Sequence, residues 1–143
     1  MVLGWWLGYR RFMAEAEKAE KITINLGLVD LGRIDLLVAE GFYSNRTDFI
    51  RAAIRHQLST NDEAISQTVR RRTLVLGTER YSRADLEELR SRGTAVHIRV
   101  LGLATVDDDV PVDLALATIA SVEVLGAFRA SREVKAALAS RTT

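Results

Sequence analysis

Lys21, Thr23 and Asn25 are spaced two apart, with Ile22, Ile24 and Leu26 interleaved. Side chains alternate across a strand, so one side of this run presents an ammonium, a hydroxyl and an amide while the other side is apolar. Those three polar groups can hydrogen-bond base edges in a DNA major groove. Further on, Ser44-Asn45-Arg46 stands at the head of a helical pattern. The unpaired amides and the dipole of a helix start favour an anion there, and Arg46 can add a charge-assisted bond. Both features also have an ordinary reading. A polar outer face is what any solvent-facing strand shows, and Ser44 or Asn45 caps a helix whether or not an anion is present.

The elements that would position these residues lie between Lys21 and Leu58. A half-buried strand is predicted over Lys21 to Leu26. A first helix follows, with Leu31, Ile34, Leu37 and Val38 as its apolar stripe, Asp30 as its candidate N-cap and Gly41 as its stop. A second helix begins at Ser44 or Asn45 and carries Phe49, Ile50, Ala53, Ile54 and Leu58. Such a short strand-helix-helix segment has too little core, and its lone strand has two unpaired edges. Two copies solve both problems by pairing their strands antiparallel and packing four helices together.

This segment resembles the ribbon–helix–helix DNA-binding domain of the Arc, MetJ and CopG-like repressors. The resemblance rests on the strand ITINL and on the block GFYSNRTDFIRAAIR, and covers residues 20–60. It implies an intertwined homodimer, a two-stranded antiparallel ribbon plus four helices, that lays the ribbon in the major groove of double-stranded DNA. By position, Lys21, Thr23 and Asn25 would contact bases. Ser44, Asn45 and Arg46 would contact phosphates.

Net charge is only +1, so the chain as a whole lacks the basic surplus of many DNA binders, and any positive field is local, at Lys21, Arg46, Arg51 and Arg55. The absence of cysteine excludes disulfides and thiolate metal sites and fits a reducing cytoplasm. Residues 1–12, MVLGWWLGYRRF, are too short an apolar stretch to span a bilayer and lack the features of a signal peptide. They are read as part of a flexible tail over residues 1–19, or as the product of an upstream start codon; a Trp-rich anchor for a partner or membrane surface is the sharper alternative. Residues 61–72 form a linker or prolong the second helix, and Asn61 and Asp62 suggest a break. They end in the basic run Arg70-Arg71-Arg72, ordinarily a solvated face.

Residues 73–143 are predicted to form a β-rich α+β domain of three repeats centred on Val-Leu-Gly. Gly77, Gly102 and Gly126 each follow Val-Leu, 25 and 24 residues apart, and Leu89, Leu114 and Leu138 follow them at one spacing. Strands are expected over Thr73–Gly77, Ala95–Thr105 and Ile119–Gly126. Ser82 and Ser131 are expected to cap helices in the outer copies, with Gly93 stopping the first. In the middle copy Pro111 argues against a helix, and Leu114, Leu116 and Thr118 alternate as in a strand. Three repeats are near the minimum for a self-contained stack, so this domain is expected to join dimers into tetramers or larger assemblies, or to sense a ligand.

Asp107, Asp108, Asp109 and Asp113 lack the glycine and distal glutamate of a calcium loop, and His56 and His97 are too few for a metal site. No phosphate loop, nucleophile elbow or carboxylate pair is visible. No enzyme activity, cofactor, metal or membrane partner is therefore expected. The reading is a cytoplasmic, sequence-specific transcriptional regulator, acting as a repressor. The alternatives are an antitoxin whose C-terminal part wraps a toxin, and a self-assembling scaffold that uses the N-terminal unit only to dimerise.

Overall fold

The computed structural model describes residues 19–143. The tail expected over residues 1–19, with its Trp-rich segment, lies outside them apart from its last residue. The described residues form two compact units, one of Lys21–Thr68 and one of Val69–Thr143 together with residues 19–20.

The first unit holds α1 (Leu28–Ala39) and α2 (Arg46–Thr60). Helix α1 starts three residues earlier than its sequence suggests: Gly27 is the N-cap, without a side-chain bond, and Asp30 lies in the first turn. Its end is as expected. Gly41 adopts φ +82°, Phe42 N–H donates to Leu37 O, and Gly41 N–H donates to Val38 O. This closes the helix with both bonds of a Schellman turn. Ile34 is the one residue of α1 that is buried, with Leu31, Leu37 and Val38 half-buried beside it. Residues 21–26, expected as a half-buried strand, carry no regular secondary structure here. No described residue pairs with them, and Ile22 is 72% exposed. A strand acquires its hydrogen bonds only from a neighbour, and the described residues offer this run none.

Residues 62–72 are helical. Helix α3 (Asp62–Arg72) begins just past Asn61, which caps α2. The second unit then alternates strands and helices: β1 (Val75–Tyr81), α4 (Arg83–Ser91), β2 (Val96–Val106), α5 (Val112–Thr118), β3 (Ile119–Arg129) and α6 (Arg132–Ala137), ending in a single 3₁₀ turn (Ala139–Arg141). The strands form one parallel sheet in the order β1-β2-β3. The chain is α+β, with six α-helices among the described residues. Leu86 of α4, Leu114 and Ala115 of α5, and Val134 of α6 pack with Ile98, Val100 and Val122 of the sheet in one core.

Two expectations about this unit are corrected. The two outer strands do not end at their glycines but run past them, to Tyr81 and Arg129, while the middle strand ends at Val106, one residue beyond its expected end. Gly77 lies beside Gly102, and Gly102 beside Gly126. All three have φ between +125° and +140°. A Cβ on Gly102 would stand 2.1 Å from Gly77 O, and one on Gly126 2.2 Å from Gly102 O. Positive φ usually ends a strand, but three such residues in register deform all the strands alike and leave the ladder intact. The second correction concerns residues 114–118, which are helical. Pro111 is the N-cap of α5, ahead of the helix interior, where its missing N–H costs nothing. Leu114, Ala115 and Thr118 form the buried face, and Thr118 Oγ donates to Leu114 O.

Candidate nucleic-acid interface

The candidate site lies wholly in the first unit. Lys21, Thr23 and Asn25 are exposed, as are the apolar residues between them. Their division into two faces is therefore not realised within one chain. It needs a surface on which Ile22, Ile24 and Leu26 can be buried.

Ser44, Asn45 and Arg46 are brought to one place, the start of α2. Asn45 is the N-cap, and its Oδ1 accepts from Asp48 N–H at 2.8 Å. The Asp48 carboxylate in turn accepts from Ser44 N–H at 3.0 Å. Tyr43 meets Phe49 edge-on, with ring centroids 5.0 Å apart, and fixes the entry of the chain into the helix. Arg46 and Thr47, as the first two helical residues, have N–H groups with no carbonyl of the same helix to receive them. This is the part of the turn able to take an anion, since the Asp48 carboxylate occupies the Ser44 side.

Arg46 has a partner that its position in the sequence does not disclose. Its Nε and Nη2 donate to the two carboxylate oxygens of Asp35 on α1, at 2.6 and 2.7 Å. This fork holds the Asp35 carboxyl below its usual range and raises the guanidinium further. Both groups are solvated, so the pair matters more as a positioning device than for stability. Two of the five N–H donors of Arg46 are engaged with Asp35, which holds the guanidinium against α1.

Arg51 and Arg55 complete the site. With Ser44, Asn45, Thr47 and Asp48 they line a shallow concavity of about 400 Å³. In the sequence they count only as local charge. The signal that places them is their spacing: Thr47, Arg51 and Arg55 recur every four residues and so share a helix face.

Several of the other polar residues singled out in the sequence have structural partners. Asp107 of the acidic loop receives a fork from Arg80, at 2.8 and 2.7 Å. His97 Nδ1 lies 2.8 Å from Ser121 Oγ. Among the described residues, no group of three or more His, Cys, Asp or Glu is placed to hold a metal ion, and no helix is long and apolar enough to cross a membrane.

The family model described as the Ribbon-Helix-Helix transcriptional regulator family matches residues 17–135, which takes in both units. No curated protein and no solved structure matches the chain.

Proposed function

The chain belongs to the Ribbon-Helix-Helix transcriptional regulator family, and from that premise we propose that it is a homodimeric repressor reading operator DNA with a paired ribbon. Residues 21–26 of two copies pair antiparallel. Lys21, Thr23 and Asn25 meet base edges, and Ser44, Asn45 and Arg46 fix the ribbon by holding a phosphate at the start of α2, backed by Arg51 and Arg55. Residues 73–143 join dimers into tetramers or larger assemblies. A cysteine-free chain with this role fits the cytoplasm.

One observation carries the proposal. Apolar side chains crowd the surface of a unit that buries only Ile34: Leu28 is 85% exposed, and Ile22, Ile24, Phe42, Ile54 and Leu58 are exposed with it. Burying each fully stabilises by about 1.5–3 kcal/mol, so a second copy is strongly favoured. Pairing the strands also satisfies backbone groups that one chain leaves without a strand partner. The separate core of the C-terminal unit favours this role over that of an antitoxin tail, which orders only on its toxin.

Base reading is tested by Thr23→Ala and Asn25→Ala. Each is expected to weaken operator binding by about 1–3 kcal/mol and to relax sequence preference. Unchanged affinity and preference in Asn25→Ala would overturn the ribbon assignment.

A further inference from the structure

Among the described residues, strand β1 is an open end of the parallel sheet. It pairs with β2 along all seven residues on one side, and no described residue pairs along the other. The opposite end is closed differently: Val122 of β3 bridges to Thr142, and Thr143 N–H donates to Val122 O at 3.0 Å. Edge strands that remain in water are usually blunted by lysine, proline or inward-pointing charge. The first four residues of β1, Val75-Leu76-Gly77-Thr78, have none of these, and Leu76 is 71% exposed. The bend at Gly77 does not set this edge apart, because Gly102 and Gly126 share it.

We propose that β1 pairs antiparallel with β1 of a second copy, so that two three-stranded sheets become one of six strands. This rests on the reading that residues 73–143 join chains. The occupant is a second copy because the strand complements itself in one register. Residues directly opposite in an antiparallel pair share a face. With the helices of both copies on one side of the sheet, the two-fold axis must therefore pass beside a residue rather than between two. Placed at Thr78, it pairs the whole strand. Val75 faces Tyr81 of the partner subunit, Leu76 faces the partner's Arg80, and Thr78 faces its own copy. The first and last of these are β-branched–aromatic and Thr–Thr pairs, both favourable across strands. Placed at Glu79 or Arg80, the axis sets like charges opposite each other. Placed at Gly77, it shortens the overlap to residues 75–79.

The chain has no cysteine, so one introduced thiol reports its own neighbour. In the full-length protein, Thr78→Cys is expected to give a disulfide-linked pair under mild oxidation. Leu125→Cys, on β3 at 45% exposure, is expected to stay unlinked. Thr78→Lys is expected to halve the mass of the assembly in light scattering while leaving binding to a single operator half-site unchanged. No linkage at Thr78 together with a tetramer mass that Thr78→Lys does not alter would overturn edge pairing and leave the joining role standing. Linkage at Leu125 in place of Thr78 would overturn it in favour of sheet-face packing. A dimer mass for the natural protein with linkage at Thr78 would uphold the edge pair and refute the joining of dimers; a dimer mass without linkage would refute both.

Discussion

Replacing Gly102 by alanine puts the glycine register of the sheet to a quantitative test. Two costs apply at that position. The backbone has φ +140°, a region that L side chains rarely adopt, and holding a non-glycine residue there costs about 1–3 kcal/mol. The new Cβ would also stand 2.1 Å from Gly77 O and 3.0 Å from Gly77 C, atoms of a neighbouring strand with no side chain to move aside. Relieving such overpacking costs roughly another 1–3 kcal/mol. Gly102→Ala should therefore lose about 2–6 kcal/mol. Gly77→Ala separates the terms, because its φ is +128° but a Cβ there meets nothing within 4 Å. It should lose about 1–3 kcal/mol. Gly32 gives the opposite sign: it lies in α1 with open space around it, and alanine there should add about 0.5–1 kcal/mol. Urea denaturation followed by far-ultraviolet circular dichroism reads all three. At about 2 kcal/mol per molar urea, a 4 kcal/mol loss moves the midpoint by about 2 M. If Gly102→Ala cost no more than Gly77→Ala, the close approach of the Gly77 carbonyl to Gly102 would be wrong.

Arg46→Ala should weaken binding to all DNA sequences alike and lower the salt slope by about one unit; a change of sequence preference would speak against phosphate contact. Asn45→Ala removes the acceptor for Asp48 N–H and should destabilise the N-terminal unit by about 1 kcal/mol in urea denaturation. Acid should also destabilise the protein. Asp35 is held low by Arg46, Asp85 by the Ser82 hydroxyl and amide, and Glu123 by Arg99 and Arg72. A folded-state pKa below the unfolded value of about 4 gives stability that is present above that pH and lost as pH falls through the folded values. Denaturation midpoints should be flat above about pH 5 and fall below about pH 4, with a shallower fall in Asp85→Asn/Glu123→Gln.

What the sequence disclosed depended on whether the deciding contact was local. Helix α4 was legible at both ends because Ser82 and Asp85 cap each other within the first turn, and Gly93, at φ +64°, closes the last. The start of α2 was legible for the same reason, through Asn45 and Asp48. Residues 114–118 were not. Leu-Ala-Leu-Ala-Thr alternates like a strand yet also fits a short helix face, and only packing of Leu114, Ala115 and Thr118 decides between them. The ends of the two outer strands were misplaced because a glycine with positive φ is ordinarily a stop, and the stack that tolerates three of them is a tertiary arrangement. The fork between Arg46 and Asp35 joins two helices, and no short-range pattern encodes it. Residues 21–26 are the extreme case. Their alternation is plain in the sequence, while the hydrogen bonds that would make them a strand require a second chain.

The most direct test of the central claim is binding of the full-length protein to labelled DNA from its own promoter region, against shuffled DNA of the same composition, over a salt series. The account predicts tight binding that prefers the promoter and weakens steadily as salt rises, as phosphate contacts require. Binding without preference, or none at low salt, would contradict it and reduce the N-terminal unit to a dimerisation device.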